Sequence, residues 1–268
     1  MTQVATGNYA QVNGINLYYE VHGTGQPLIR LHGGLGSTVM FGADLPELAA
    51  NRQVIGVDLQ AHGRTADIDR PMTFEAMADD IAALIAHLGF AQVDLMGYSL
   101  GGMVAQHVTI RHPELIRKLV VVSAPFKKSG WNRENLEGMT QIGAAANAAS
   151  MKQTPMYKSY AQIAPRVEDW PRLLNKLGDL FRSDYDWSGA IPSIRQPVML
   201  ICGDADATLP RHMVEFFELL GGGLRDGSWD GSGMVKSQLA ILPATTHYNI
   251  FSSPALAQTV IPFLDAAV

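Results

Sequence analysis

Apolar residues in this chain recur in two rhythms. Short, largely apolar runs at 27–31, 54–58, 119–122 and 198–202, and another beginning at Val93, are too brief for helices and read as strands buried on both faces. Longer stretches carry a 3.6-residue stripe. The clearest covers 73–88, where Phe74, Met77, Ala78, Ile81, Leu84, Ile85 and Leu88 share one face, with Thr73 placed to cap it and Gly89 to end it. Strand, helix, strand, helix at this spacing predicts an α/β fold, a mostly parallel central sheet with helices on both faces. The chain opens differently: residues 9–12 and 15–21 flank Asn13-Gly14, a strong hairpin signal. It closes with a helix over 211–220, a glycine-rich loop at 221–233 and a last strand at 238–242. A final helix begins near Pro254, and Pro262 is expected to break or kink it.

The pattern changes after Pro125. No strand is evident from 126 to 192, and the segment is rich in aromatic residues and methionine, Trp131, Tyr157, Tyr160, Trp170, Met139 and Met151 among them. It reads as a helical insertion with a small core of its own, most of these side chains doing only that. Its inner face is expected to roof a substrate pocket, because a lid must both pack on the sheet and cover the site. The expected organisation is a core from 1–125 and 193–268 with a helical cap at 126–192 inserted in it.

The stretch 93–102 organises the rest. Its strand residues lead into Gly97-Tyr98-Ser99-Leu100-Gly101, and a helical pattern with Val104, Val108 and Arg111 follows until His112-Pro113 stops it. Gly-x-Ser-x-Gly between a buried strand and a helix is the context of a nucleophile elbow. Without Cβ atoms at Gly97 and Gly101, strand and helix approach closely. Ser99 is then forced into a strained turn that lifts its hydroxyl above the carboxyl edge of the sheet. The helix start next to it favours developing negative charge. A second glycine-rich turn, His32-Gly33-Gly34-Leu35-Gly36-Ser37, follows the run 27–31. It lacks the Gly-Lys-Ser/Thr of a phosphate loop and the acidic partner of a dinucleotide fingerprint, so its expected role is to present backbone N–H groups to an oxyanion.

Bulk composition narrows the classes. With 268 residues, 47% apolar and 17% charged, the chain is expected to be one globular domain with an insertion. A net charge of -5 gives no electrostatic case for nucleic acid or an anionic membrane. Residues 1–8 show neither a basic nor an apolar leader region, and no apolar run approaches transmembrane length. The expectation is a cytoplasmic protein without membrane insertion. The single cysteine, Cys202, excludes an intrachain disulfide and a cysteine-based zinc site; no metal and no cofactor are expected.

A serine hydroxyl is a weak nucleophile until a base takes its proton. Among the histidines, His87 and His107 fall within helical patterns, His112 at a helix end and His212 in an early helical turn, where structural roles are expected. His22 and His62 lie in loops ahead of Ser99. His247 follows the last strand, where a parallel sheet gathers active-site loops. The orienting acid is expected after the run 198–202, where Asp204 and Asp206 compete and spacing does not choose.

Five segments together resemble the α/β-hydrolase family over nearly the whole chain: Leu31-His32-Gly33-Gly34, the stretch from Asp58 to Thr65, the elbow, Gly203-Asp204-Ala205-Asp206, and Leu242-Pro243-Ala244-Thr245-Thr246-His247. The order nucleophile, acid, histidine is that family's. The resemblance selects Asp206, the last residue of Gly-x-x-Asp, as the acid, and implies an oxyanion hole at the backbone N–H groups of Gly34 and Leu100. Ala61 and Thr65 depart from the Gly and Ser usual there, in a segment that is mainly structural in the family, and the 221–233 loop is longer than usual. Within the family the chain resembles small microbial carboxylesterases, some of which open lactones, acyl-homoserine lactones included.

That resemblance implies cofactor-free acyl transfer by Ser99, His247 and Asp206 on a small-molecule ester or lactone with an apolar acyl part. Haloalkane dehalogenases and epoxide hydrolases are set apart, since they use Asp at the position of Ser99. Carbon–carbon bond hydrolases and cofactor-free haloperoxidases share the same three residues. The former are expected to place basic side chains in the pocket, for which the cap offers Lys152, Lys158, Arg166 and Arg172. A ligand-binding receptor with a vestigial site is a third reading, against which the intact Ser99, Asp206 and His247 weigh.

Overall fold

Alternation along the central strands sets the architecture. The computed structural model describes residues 6–42, 44–143 and 145–267, and among them eight strands form one sheet. They are β1 (Thr6–Val12), β2 (Ile15–His22), β3 (Gln26–Leu31), β4 (Arg52–Val57), β5 (Val93–Tyr98), β6 (Ile116–Val122), β7 (Val198–Ala205) and β8 (Gln238–Thr246). In β5, Val93 and Leu95 join one core cluster while Met96 and Tyr98 join another. β6 divides Leu119 and Val121 from Val120 and Val122 in the same way. Strands apolar on both faces need cover on both faces, and helices supply it.

The helices are α1 (Leu45–Leu48), α2 (Phe74–His87), α3 (Leu100–Arg111), α4 (Arg133–Thr140), α5 (Ala145–Ser150), α6 (Pro155–Ile163), α7 (Trp170–Arg182), α8 (Pro210–Leu219) and α9 (Pro254–Asp265). α2, α3 and α8 bury residues such as Ile81, Val104 and Phe216 in the first cluster, and α7 adds Trp170, Leu173 and Leu177 to it. Leu48 of α1 and Leu256, Val260 and Phe263 of α9 cover the opposite face. The strand order is β1-β2-β4-β3-β5-β6-β7-β8. The pairs β1/β2 and β2/β4 are antiparallel and the rest are parallel. The α/β fold expected from the pattern is the fold observed.

Local signals acted as their chemistry requires. Asn13 and Gly14 both have positive φ, 47° and 79°, as a two-residue hairpin turn of this type demands. Thr73 accepts the Ala76 N–H at 3.1 Å and caps α2. Between β6 and β7 the described residues form α4 to α7 and no named strand. Two expectations need correction. β8 runs to Thr246, beyond 242, because it is an edge strand and tolerates Pro243, whose missing N–H faces no partner strand. α9 continues through Pro262 to Asp265, because the bond that proline removes belongs to the carbonyl of Gln258, an exposed residue that water can serve. The first five residues of the opening stretch lie outside the described residues. Among those described, no helix is long and apolar enough to cross a membrane.

The end of α9 is fastened from below. Lys118 on β6 is 1% exposed, and its ammonium donates to the carbonyls of Phe263, Leu264 and Ala266 at 2.8, 3.1 and 2.5 Å. These are the carbonyls that a helix C-terminus leaves without intrahelical donors, and a cation there also complements the helix dipole. Arg117 adds a bond to Leu264 while paired with Asp94, and Arg52 pairs with Asp265. Lys118→Met keeps the apolar stem but strands three carbonyls. It is expected to lower unfolding free energy by about 2–3 kcal/mol, read as a lower urea midpoint at unchanged m-value; a loss under ~0.5 kcal/mol would show that water replaces the ammonium.

Candidate active site

The sheet ends where β5 meets α3, and one residue is left between them. Ser99 sits there at φ 52° and ψ -119°, a conformation that costs a non-glycine residue roughly 1–3 kcal/mol. It is held on every side. The Ser99 N–H donates to Val122 O at 2.9 Å, Met103 N–H to Ser99 O at 3.0 Å, and Gly101 N–H to His32 O at 3.0 Å. A Cβ at Gly97 would lie 2.2 Å from Gly101 O, and one at Gly101 2.5 Å from His32 O, so both positions require glycine.

His247 and Asp206 arrive from neighbouring strand ends. Asp206 directly follows β7 and His247 directly follows β8, which lie on the same side of β5 in the sheet. His247 Nε2 is 3.1 Å from Ser99 Oγ, and His247 Nδ1 is 2.8 Å from Asp206 Oδ1. An ionised Asp206 only accepts, so Nδ1 carries the hydrogen and Nε2 is left as acceptor for the Ser99 hydroxyl. Tyr98 fixes the imidazole from beneath: its ring centroid is 4.9 Å from that of His247, and its hydroxyl donates to His247 O at 2.6 Å.

Asp206 is 6% exposed, and burial alone pushes its carboxyl up. The balance nevertheless falls below the ordinary carboxylate value. The hydrogen bond and charge of His247, the Ser123 hydroxyl and the Gly203 N–H together outweigh desolvation. Oδ1 accepts from His247 and from Thr208 N–H at 3.0 Å; Oδ2 accepts from Ser123 Oγ at 2.5 Å and Gly203 N–H at 3.0 Å. Asp204 does something else. It accepts the N–H groups of Ala244 and Thr245 at 3.0 and 3.1 Å, tethering the segment that leads to His247.

The glycine-rich turn after β3 lies against the elbow, since a Cβ at Gly33 would come within 3.3 Å of Ser99 Cβ. His32 orients it. Burial pushes this imidazole down to about 4, so it is neutral; Nε2 accepts the Leu59 N–H at 3.0 Å and Nδ1–H donates to Gly33 O at 2.7 Å. With the Gly33 carbonyl drawn toward His32, the N–H of Gly34 on the same trans peptide points away from that ring. Leu100 is the first helical residue, so its N–H has no carbonyl one turn earlier to satisfy.

The helical segment between β6 and β7 reaches the site through few side chains. A Cβ at Gly34 would touch Leu177 at 3.4 Å and Phe181 at 3.6 Å, both on the buried face of α7, and the Trp131 ring meets His247 edge-on at 5.6 Å. Its cations are engaged elsewhere. Arg166 donates to Asp67 O and Asp169, Arg172 pairs with Asp67 at 3.1 Å, and Lys152 and Lys158 are exposed. Lys176 donates to Asp67 and to the carbonyls of Ile68 and Arg70. A cleft of 560 Å³ runs beside Phe74, His107, Leu180, Tyr185 and Trp187, and none of Ser99, Asp206 and His247 lines it.

The other histidines have structural surroundings. His107 stacks on Phe74, His112 meets Asp79, His22 meets Glu20, and His212 accepts the Phe126 N–H. His62 is wholly buried beside His32 and donates to or accepts from nothing through Nε2. Reading the sequence missed His32, Tyr98 and Ser123. Ser123 carried a usable signal, since it is polar and directly follows an apolar run at the sheet edge where chemistry collects. Among the described residues, no group of three or more His, Cys, Asp and Glu is placed to hold a metal.

With fold and site in hand, comparison with known proteins is informative. The family model for the alpha/beta hydrolase fold matches residues 26–142, which span the glycine-rich turn, the elbow and the start of the cap. The chain has the α/β-hydrolase fold, and the matches support the α/β-hydrolase superfamily and a hydrolase. The serine hydrolase BPHL of Mus musculus is 28% identical over 211 residues, 76% of this chain and 72% of that protein. A thermophilic esterase from Thermogutta terrifontis superposes with a TM-score of 0.73 at 22% identity, covering 98% of each chain. An enol-lactonase from Burkholderia xenovorans LB400 gives 0.71 at 18% identity over 96% of this chain and 100% of that one. At those identities the two structures speak for the fold alone.

Cys202 lies on β7, fully buried, four residues from Asp206. Burial, with the charges of Asp206 and Asp204 adding to it, pushes the thiol up to about 12. At pH 8 only on the order of 1 in 10⁴ molecules carries the thiolate. The native protein is therefore expected to resist a disulfide reagent such as dithiobisnitrobenzoate and to react with one equivalent only on unfolding. Rapid stoichiometric labelling of the native state would contradict this.

Proposed function

We propose that the protein is a serine hydrolase of carboxylic esters, with lactones that carry an apolar tail among its substrates, and that it works without a cofactor. The observation that carries this reading is the continuous chain from Ser99 Oγ through His247 to Asp206 at 3.1 and 2.8 Å. In the first half-reaction His247 Nε2 takes the Ser99 proton as Oγ adds to the substrate carbonyl. The carbonyl electrons move onto oxygen, which the N–H groups of Gly34 and Leu100 hold. Collapse breaks the ester C–O bond, and the leaving alkoxide takes the proton from His247. Water then adds to the acyl-enzyme with His247 again as base, the acid leaves, and Ser99 regains its proton. Asp206 keeps the imidazole in the required tautomer and stabilises its charged form.

An apolar acyl group is supported by what borders Gly34, namely Leu177 and Phe181, with Trp131 beside His247. In this reading the insertion at 126–192 acts as the lid. Carbon–carbon bond hydrolysis of an anionic dienoate would need cations facing the pocket, and Arg166 and Arg172 are bound to carboxylates and carbonyl groups at Asp67 and Asp169 instead. A receptor with a vestigial site is separated by labelling: a fluorophosphonate is expected to modify Ser99 stoichiometrically, which an inert site would not allow.

Ser99→Ala is expected to lower turnover of an aryl ester by roughly four to six orders of magnitude with the thermal midpoint nearly unchanged. Asp206→Asn is expected to cost on the order of 10⁴, and Asp204→Asn far less, since it only loosens a tether. Wild-type activity in the Ser99 variant, or equal losses at the two aspartates, would refute the assignment.

The acyl wall generates a separate expectation. Each methylene buried against it adds up to about 0.8 kcal/mol, or roughly fourfold. Over acetyl to decanoyl esters kcat/KM is expected to rise, peak and fall, and tailed lactones are expected to be opened faster than untailed ones. A steady decline from acetate with no lactone turnover would mean a small pocket and no acyl channel.

A further inference from the structure

We infer that Ser123 is a positioning residue for this reaction: its buried hydroxyl fixes the plane of the Asp206 carboxylate and thereby the aim of His247 at Ser99. The inference rests on the reading of Ser99, His247 and Asp206 proposed above.

Ser123 is the first residue beyond β6, fully buried, with φ 52°. A serine at positive φ is strained where glycine would not be, so the backbone gives no reason for a side chain at this point. Its N–H is already spent on Ile201 O at 2.8 Å, which ties it to β7 one strand over. From there the hydroxyl reaches Asp206 Oδ2 at 2.5 Å, the length of a hydroxyl donating to a charged carboxylate.

A carboxylate turns about its Cβ–Cγ bond unless both oxygens are held. Oδ1 has Thr208 N–H and His247; Oδ2 has Gly203 N–H and the Ser123 hydroxyl. Two of these four donors, Gly203 and Thr208, belong to the β7 end and its loop, and His247 is the group to be aimed. Ser123 is the one remaining donor and comes from the end of β6, so it sets the carboxylate against a neighbouring strand. Without the hydroxyl, Gly203 N–H alone holds Oδ2, and the carboxylate plane is set less firmly against His247 Nδ1.

The test is Ser123→Gly, which deletes the hydroxyl while relieving the φ strain and so protects the fold. On the best ester substrate, kcat is expected to fall roughly tenfold with KM within about twofold of wild type. The thermal midpoint is expected to be unchanged or higher. The low-field proton resonance of the His247 Nδ1–H is expected to shift or broaden, a readout independent of turnover. In an Asp206→Asn background the same substitution is expected to cost nothing further. Wild-type kcat and proton resonance in Ser123→Gly would overturn the inference, as would a loss carried entirely in KM or one that adds fully to Asp206→Asn. Ser99→Ala and Asp206→Asn in the same assay keep the two ideas apart. If they are inactive while Ser123→Gly is normal, only the role of Ser123 fails; if they are active, the reading of the site itself fails.

Discussion

The backbone at Ser99 can exist only because a whole sheet holds it. A residue at φ 52° and ψ -119° relaxes unless its neighbours forbid it, and here three separate segments do. β6 accepts its N–H through Val122, the end of β3 accepts the Gly101 N–H through His32, and α3 begins at the next residue. The glycines at 97 and 101 are the geometric condition for that convergence, since a side-chain carbon at either would collide with backbone. Strand order, the two apolar faces and the helix covering them all serve to keep this one turn from unwinding. Their total stability far exceeds the ~1–3 kcal/mol the turn costs.

The same edge of the sheet decides which charges survive burial. Asp58 and Asp206 are both nearly inaccessible carboxylates. Asp58, with N–H donors from Arg64 and Thr38 and the Arg64 guanidinium at 3.8 Å, is still pushed up to about 6, because desolvation dominates. Asp206 ends below the ordinary value because an imidazole, a hydroxyl and two backbone N–H groups converge on it. His32 takes the opposite course: burial leaves it neutral, and that neutrality lets one ring accept from Leu59 while donating to Gly33. A protonated His32 would donate through both nitrogens and would repel the Leu59 N–H, so the turn facing Ser99 depends on its staying uncharged.

How much of this could be read from residues alone follows from the range of the interactions involved. Period-two and period-3.6 patterns are local, and the strands, α2 with its Thr73 cap and the Asn13-Gly14 turn were legible because each is decided within a few residues. Ser99 and His247 were legible because elbow and post-strand loop are local signatures at the sheet edge. The choice between Asp204 and Asp206 was not, because both follow the same strand. What separates them is a register slip between Gly203 and Ala205 that turns one toward His247 and the other toward Ala244. The roles of Ser123 and Tyr98 depend on partners 83 and 149 residues away, which local pattern does not reach. Of the break or kink expected at Pro262, the break does not occur, since a proline near a helix end removes a bond that an exposed turn can do without.

The segment between β6 and β7 brings few of its apolar side chains to the candidate site. As expected, most of its aromatic residues and methionines pack on one another or on the core. Tyr157 and Tyr160 lie against Trp170, and Tyr185 stacks on Trp187. Met139 and Met151 pack against the main core, and Met156 is exposed. Leu177, Phe181 and Trp131 are the cap residues placed against the Gly34 turn and His247, and none of them has the pliancy of a thioether. α7, which carries two of them, is pinned by Lys176 and Arg172 to Asp67 and the carbonyls beside it. Under the proposed chemistry, discrimination among acyl groups then comes from the shape of a fixed wall, and the clamp at Asp67 governs it without touching substrate.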